Sequence, residues 1–223
     1  MGRKKLQRFE DNAINRNVIQ PGKSIYETIK GQWASFFQNN SPLVVELACG
    51  RGEFTVGMGR ERPDHNFVGV DIKGSRIWKG STTAINEALE NVAFLRAQIE
   101  QLELFFEEGE ISELWVTFPD PRPKDRDEKR RLTSPRFLEM FKKLVKEEGS
   151  IHFKTDNTGL FEYTVGLLEK RDDAEVLKIT RDFYTSPWKE LHYGIKTRYE
   201  QIFSEKGEKI KYLHFKLHSD TGE

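Results

Sequence analysis

The chain has little of several features that mark special classes of protein. Cys49 is the only cysteine among 223 residues, so no intramolecular disulfide can form, which fits a reducing compartment. No apolar run approaches the ~20 residues that cross a bilayer, and the amino terminus lacks the apolar core of a signal peptide. The 5 histidines show no metal-ligand spacing. We therefore expect a soluble cytoplasmic protein that binds no metal.

The chain also lacks an excess of charge of either sign. Lys plus Arg and Asp plus Glu both number 36, so no overall field attracts a nucleic acid. A polyanionic partner would have to be bound by local patches. Two basic patches are visible, one formed by Arg3, Lys4, Lys5 and Arg8 and one between Lys124 and Arg136. The sequence is compatible with both a monomer and a homodimer.

Short β-rich runs alternate with helical patterns along most of the chain. Candidate strands are Leu43–Leu47, Phe67–Ile72, Val92–Leu95, Leu114–Phe118, Ser150–Lys154, Ala174–Thr180 and Tyr212–Leu217. The earlier runs, especially Leu43–Leu47 and Phe67–Ile72, are typical of strands buried on both faces. The last two runs are typical of an antiparallel pair at one edge. We predict an α/β, Rossmann-like fold with a doubly wound, mostly parallel seven-stranded sheet.

The length suits one such domain. We expect residues 41–223 to form it, with residues 1–40 as a basic arm and first helix of the same unit. Ser24 and Glu27 form a capping box ahead of an apolar stripe that runs to Phe37. Ser134 followed by Pro135 predicts the start of a later helix.

A glycine-rich turn follows the first predicted strand. That strand ends in Glu46-Leu-Ala-Cys-Gly-Arg-Gly-Glu-Phe54, where Gly50 and Gly52 allow the backbone to turn tightly against a ligand. Thr55 replaces the third glycine of the pyrophosphate fingerprint, which disfavours a dinucleotide. Asp71 lies about 20 residues further on, at the spacing of an acid that accepts ribose hydroxyls.

A nucleoside site without a pyrophosphate, beside the acidic Glu46, suits S-adenosylmethionine. This compound joins an adenosine to a sulfonium and an amino acid. Two structural alternatives stay open on the residues alone: Glu46 caps a helix or pairs with a lysine, and Asp71 begins the turn before Lys73.

A stiff acidic loop begins where the fourth predicted strand stops. Phe118-Pro-Asp-Pro-Arg-Pro-Lys124 excludes both helix and central strand, because each proline fixes φ and removes a backbone donor. Asp120 is held within this loop, and a cationic arm follows it. The pattern favours chemistry on a polyanion, although a solvated surface loop is the alternative.

Several segments together resemble the bacterial tRNA (guanine-N7-)-methyltransferases. The matching segments are Glu46 to Phe54, Gly69-Val-Asp-Ile-Lys-Gly-Ser-Arg76, Phe118 to Lys124, Lys129-Arg-Arg-Leu132, His152-Phe-Lys-Thr-Asp-Asn157 and Thr197-Arg-Tyr-Glu200. The resemblance implies a class I methyltransferase that uses S-adenosylmethionine and acts on guanine 46 in the variable loop of tRNA.

The resemblance also implies roles for individual residues. Asp120 is the expected catalytic residue. Cofactor contacts fall on Glu46, Gly50, Asp71, Gln98 and Asp120. Substrate contacts fall on Lys124, Asp156, Thr197, Arg198, Tyr199 and Glu200.

The chain departs from the family pattern at three positions. Gln98 stands where the family usually has an acid that touches adenine, but an amide can also hydrogen-bond an adenine edge. Arg122 replaces the usual tryptophan of the loop, and Asp71 replaces a more usual glutamate. Two other classes of function remain as alternatives: a nicotinamide dehydrogenase and a non-catalytic RNA-binding protein.

Overall fold

A computed structural model describes residues 3–219 of the chain, with side chains from Lys5 onward. Within these residues one mixed sheet holds eight strands in the order β1-β4-β3-β2-β5-β6-β8-β7. The strands are β1 Val18–Ile19, β2 Leu43–Leu47, β3 Asn66–Val70, β4 Val92–Leu95, β5 Ile111–Thr117, β6 Val145–Thr155, β7 Ala174–Thr180 and β8 Lys211–Leu217. The pairings from β1 to β6 are parallel, whereas β8 pairs antiparallel with both β6 and β7. The predicted α/β class and antiparallel edge pair are confirmed.

Helices cover both faces of the sheet. They are α1 Arg3–Ile14, α2 Ser24–Thr28, α3 Trp33–Phe37, α4 Glu53–Glu61, α5 Gly74–Asn86, α6 Pro135–Leu144, α7 Thr158–Leu168 and α8 Arg198–Glu205. Short 3₁₀ turns span Ile99–Leu104, Asp125–Arg130, Phe183–Thr185 and Lys189–His192. One buried apolar cluster lies on each side of the sheet. Among the described residues, no helix has the length and apolarity that a bilayer span requires.

The predicted number of seven strands is wrong by one. The additional strand, β1, has two residues and pairs with β4 at the edge of the sheet. Its backbone is tied down locally, because Lys23 Nζ donates to the carbonyl oxygens of Asn15 and Val18 at 2.6 and 2.7 Å. A two-residue strand is too short to show the alternation on which a sequence-based prediction depends.

The helix predicted from Ser24 to Phe37 is two short helices. Its capping box is absent, because Lys23 occupies the N-cap position without a side-chain hydrogen bond. Gly31, with φ of +69°, separates α2 from α3, and a residue in this left-handed region ends a helix. The apolar stripe is still buried, through Ile29, Trp33 and Phe37.

The direction of chain winding reverses at β2. This strand pairs with β3 on one side and with β5 on the other. The loop that follows β3 and the loop that follows β5 therefore lie on opposite sides of β2. Ligands of doubly wound sheets bind at this switch point, outside the carboxyl ends of the strands.

Candidate active site

A cleft of about 550 Å³ opens at the carboxyl ends of the central strands. Clefts of this size hold cofactor-sized ligands. The polar side chains in its wall come from the loops after β3, β4 and β5. They are Asp71, Gln98, Glu100, Asp120, Arg122 and Arg130.

The glycine turn after β2 is built around close packing. Gly50 and Gly52 both have positive φ, at +57° and +73°. A Cβ added at Gly52 would lie 2.5 Å from the Phe94 ring, and one added at Gly80 of α5 would meet the same ring at 2.5 Å. A Cβ on Gly50 would meet no atom closer than Ala48 O at 3.9 Å. Gly52 therefore packs against the sheet, while Gly50 leaves open space.

Glu46 is a buried carboxylate held by two threonines. Oε1 accepts a hydrogen bond from Thr117 Oγ1 at 2.6 Å, while Oε2 accepts from both the backbone N (3.0 Å) and the hydroxyl of Thr55. Burial raises the pKa of Glu46 to about 7, although these hydrogen bonds oppose the shift. Within residues 3–219 this carboxylate has no ion-pair partner within 4.0 Å. The lysine partner considered from the sequence is therefore absent.

The roles of both threonines are not evident from the sequence. Thr117 belongs to the strand beside β2, and only the pairing of the two strands brings its hydroxyl to Glu46. The sequence indicates Thr55 only as the replacement of a glycine. Its hydroxyl in fact supplies part of the carboxylate's hydrogen bonding.

Asp71 follows β3 and is fixed by two backbone amides. Oδ2 accepts from Gly50 N at 3.0 Å and Oδ1 accepts from Lys73 N at 2.7 Å. The turn-forming role left open by the sequence is therefore real. Asp71 also lies in the wall of the cleft, where its carboxylate connects the second predicted strand to the glycine turn.

Gln98 lies further along the same wall and is exposed. It precedes the 3₁₀ turn at Ile99, and Ile99 also borders the cleft. An exposed amide beside an apolar side chain suits the edge and the face of a purine ring.

The loop that follows β5 carries two strained residues around Asp120. Phe118 and Arg122 have φ of +48° and +46°, a region that costs a non-glycine residue about 1–3 kcal/mol. Phe118 is held there because its N–H donates to Lys154 O at 2.8 Å. Arg122 N donates to Asp120 Oδ1 at 3.2 Å, and Arg122 Nε lies 3.2 Å from Oδ2. Arg122, in place of a tryptophan, thus forms an exposed ion pair with the acid of the loop.

Arg131 is a brace for this loop. Its Nε donates to Arg122 O at 3.1 Å, and its guanidinium lies 4.4 Å from the Tyr163 ring centroid. Tyr163 in turn donates to Glu128 at 2.9 Å. The basic patch predicted between Lys124 and Arg136 therefore includes cations engaged by the protein itself, because Arg130 pairs with Asp127 at 3.3 Å and Arg136 with Glu100 at 3.6 Å. Lys124, in contrast, is exposed.

Asp156 lies at the carboxyl end of β6 with a half-buried carboxylate. The N-cap of α7 is Asn157, whose Oδ1 accepts from Leu160 N at 2.8 Å. No other residue of the described chain donates a hydrogen bond to the Asp156 carboxylate, and partial burial raises its pKa. The helix-capping role therefore falls to Asn157 and leaves Asp156 available.

The predicted substrate turn divides into buried and exposed halves. Thr197 caps α8, since its Oγ1 accepts from Glu200 N at 3.2 Å. Glu200 is fully buried and pairs with Lys154 Nζ at 2.6 Å. Arg198 and Tyr199 face solvent. Lys154 is not among the residues predicted from the sequence, although a lysine inside an apolar strand indicates a buried partner.

Comparison with known proteins shows which protein family the chain is similar to. A family model described as "Putative methyltransferase" matches residues 40–213. The tRNA (guanine-N(7)-)-methyltransferase of Cytophaga hutchinsonii is 42% identical over 97% of this chain and 99% of its own length. The enzyme of the same name from Christiangramia forsetii is 45% identical over 97% of this chain and its whole length.

Solved structures share the fold at low sequence identity. The crystal structure of the 16S rRNA methyltransferase KamB has a TM-score of 0.62 at 15% identity, covering 89% of this chain and 94% of that one. A 16S rRNA (adenine(1408)-N(1))-methyltransferase from Catenulisporales acidiphilia, solved with the cosubstrate SAM, has a TM-score of 0.58 at 13% identity, covering 86% and 93%. The sheet is therefore that of class I methyltransferases. Together with the full-length relatives, this shows that the chain belongs to the tRNA (guanine-N7-)-methyltransferase family.

Proposed function

We propose that this methyltransferase transfers a methyl group from S-adenosylmethionine to N7 of guanine 46 in tRNA, and that it does so in the cytoplasm. The observation that carries the proposal is the wall of a single cleft shared by Asp71, Gln98 and Asp120. A nucleoside-binding acid and a rigid loop acid thereby border the same space. The names of the full-length relatives support tRNA as the substrate and guanine N7 as the acceptor.

Asp71 and Gln98 in the cleft wall, together with Glu46 and Gly50 on either side of the wall residue Ala48, fit the cofactor group by group. Glu46 offers a carboxyl group without an ion-pair partner within 4.0 Å among the described residues, which suits the ammonium of the amino-acid part. Asp71 keeps lone pairs for the ribose hydroxyls beyond its two backbone donors. The open space over Gly50 allows a ligand to approach the backbone. Gln98 offers both a donor and an acceptor to the adenine edge.

The bound cofactor supplies a methyl group on a positively charged sulfonium. Guanine N7 already presents a lone pair in the major-groove edge of the base, so the protein needs no general base. Alignment and electrostatics are then the contribution of the chain. Asp120 accepts the guanine N1 and exocyclic N–H donors and stabilises the positive charge that develops on the ring. Arg122 leaves Asp120 when the base arrives.

The remaining contacts bind the RNA. Lys124, four residues after Asp120, is an exposed cation and provides a salt-sensitive contact to phosphate. Asp156, at the end of β6, offers a half-buried carboxylate beside Lys211, whose ammonium donates to the Asp156 backbone carbonyl at 2.6 Å. Arg198 and Tyr199 are exposed on the first turn of α8, where an aromatic ring and a guanidinium can stack on unpaired bases.

The test combines labelled S-adenosylmethionine with tRNA from cells that lack this modification, followed by mapping of the labelled nucleotide. Label at N7 of guanine 46 is expected. Label at N7 of another guanine would refute the assignment to position 46 but leave guanine N7 methylation standing. Label at any other atom would overturn the proposal. A tRNA with adenine at position 46 is the matched control and should receive no label.

A further inference from the structure

A buried ion pair joins the carboxyl end of β6 to the first turn of α8. Lys154 Nζ lies 2.6 Å from Glu200 Oε1, and the two side chains are 1% and 0% exposed. Tyr184 donates its hydroxyl proton to the same oxygen at 2.6 Å. Burial lowers the pKa of Lys154, and the negative charge of Glu200 opposes this shift. Such a pair contributes little net stability, because desolvation offsets the attraction between the charges.

On one side the pair reaches the loop that carries Asp120. The carbonyl of Lys154 accepts the N–H of Phe118 at 2.8 Å, which holds Phe118 in its left-handed conformation. The ammonium also lies 5.9 Å from the Phe118 ring centroid and 4.9 Å from that of Phe183. Lys154 therefore contacts the residue from which the rigid Pro119-Asp120 segment departs.

On the other side the pair fixes the start of α8. Glu200 N donates to Thr197 Oγ1 at 3.2 Å, so the carboxylate and the helix cap belong to one turn. Arg198 and Tyr199 lie between these two anchored residues and face solvent. Glu200 Oε2 is buried and has no hydrogen-bond partner in the described part of the chain. The turn is thus held chiefly from Oε1, by Lys154 and Tyr184.

We propose that Lys154 is a positioning residue, which through Glu200 sets the placement of the α8 turn relative to the Asp120 loop so that both contact the same guanine nucleotide. This inference rests on the proposed function. Lys154 does not border the cleft, so it acts on the substrate only through these two elements. A misplacement of about 1 Å between catalytic and binding groups lowers a rate by about 100-fold.

The experiment compares the wild type with the double variant Lys154→Met/Glu200→Gln, which removes both charges of the pair so that neither is left buried without its counter-ion. We expect the double variant to lose about 100-fold in kcat. The Kd for S-adenosylmethionine and the thermal midpoint should stay close to those of the wild type, because the pair contributes little net stability and Lys154 does not border the cleft.

A matched control separates positioning from general loss of an ion pair. Arg62 and Glu113 form a bidentate pair at 2.6 and 2.9 Å, with side chains 16% and 20% exposed. The same substitutions there, Arg62→Met/Glu113→Gln, should leave kcat unchanged. Equal kcat in the wild type and the Lys154→Met/Glu200→Gln variant, or an equal loss in the control, would overturn the inference.

Two further measurements keep the outcome decisive. If the double variant does not fold, Tyr184→Phe removes the other donor to Glu200 Oε1 and should lower kcat several-fold at an unchanged thermal midpoint. An unchanged kcat there would overturn the inference. Absence of guanine N7 methylation by the wild type would instead refute the proposed function, so the two failures are distinguishable.

Discussion

The proposed cofactor side and the proposed RNA side of the site hold their acids in different ways. On the cofactor side, Glu46 is 3% exposed and receives three hydrogen bonds, and Asp71 is 7% exposed and receives two from backbone amides. On the RNA side, the Asp120 side chain is 63% exposed and is contacted by Arg122 from its own loop. The acids of one side are held by buried hydrogen bonds, whereas the acid of the other side is exposed and paired within its own loop.

This difference suits the ligands that we propose for the two sides. A small cofactor of constant shape gains affinity from groups that are already oriented, because little side-chain entropy is lost on binding. A nucleotide within a large RNA must be captured by groups that can adjust. The prolines beside Asp120 limit that adjustment to side chains and keep the backbone in place.

Asp120→Asn should produce the largest change and act chiefly on methyl transfer to the RNA. Losing the charge that favours a cationic guanine should lower kcat by about 100- to 1000-fold. The Kd for S-adenosylmethionine should change far less than kcat, since Asp120 is one of several expected cofactor contacts and Glu46 and Asp71 are intact. Steady-state kinetics and calorimetry measure the two effects. Asp125→Asn, at an exposed acid of the same loop, is the control, and normal turnover by Asp120→Asn would refute the catalytic role.

Gly52→Ala should damage the cofactor side through packing. Its Cβ would lie 2.5 Å from the Phe94 ring, and overpacking of this kind costs about 1–3 kcal/mol of unfolding free energy. Position 50 also has a positive φ, but a methyl group there would enter open space. Gly50→Ala therefore measures the backbone strain without the clash. Urea denaturation should give a lower free energy of unfolding for Gly52→Ala than for Gly50→Ala. Equal stabilities would contradict the packing argument.

The cofactor side should also respond to pH. Glu46 has a pKa of about 7 because it is buried, so below this pH the carboxyl is protonated and lacks the charge that attracts an ammonium. Affinity for S-adenosylmethionine should therefore rise about five- to tenfold between about pH 6 and about pH 7.5. Glu46→Gln should show weaker binding and a flat profile over this interval. A slope that survives the substitution would assign the titration to another group.

Lys124→Ala should have the smallest effect and act only on RNA binding. Loss of one phosphate contact should weaken tRNA binding a few-fold and reduce the slope of log K against log salt by about 1. Filter binding over a range of salt concentrations measures this slope. Lys146→Ala, at an exposed lysine near the opposite end of the sheet, should leave it unchanged. An unaltered slope for Lys124→Ala would place the phosphate contact elsewhere.

The cofactor side was far easier to predict from the sequence than the RNA side. The apolar run Leu43–Leu47 is a strand with those bounds, and the glycines and acid that follow obey fixed spacings set by the backbone. The hydroxyl of Thr117, the pair between Lys154 and Glu200, and the brace at Arg131 depend on distant segments meeting in space. A local sequence pattern does not show which distant segments come into contact. A charged residue within an apolar strand, such as Lys154, is the exception, because it indicates a buried partner.

The amino-terminal helix shows the same limit. The basic residues from Arg3 to Arg8 predict an arm, yet α1 is a helix that packs on α5. Its anchors are the buried Asn12, which donates to Gly74 O at 2.8 Å, and Asp11, which accepts from Trp78 Nε1 at 2.7 Å. Polar residues make these docking contacts, so hydrophobic periodicity does not reveal the helix.

The ring of Phe94 separates Gly52 from Gly80, and this arrangement restricts the order in which these residues can be substituted. Any side chain at Gly52 or at Gly80 would run into that ring at 2.5 Å. A smaller residue at position 94 has to come first, and it opens a void until one glycine is enlarged. The relief is partial, because a Cβ at Gly80 also meets Arg51 O at 2.8 Å and Gly52 keeps its φ of +73°. The three positions are therefore epistatic: a smaller residue at position 94 should lessen the cost of a side chain at Gly52 or Gly80 without removing it.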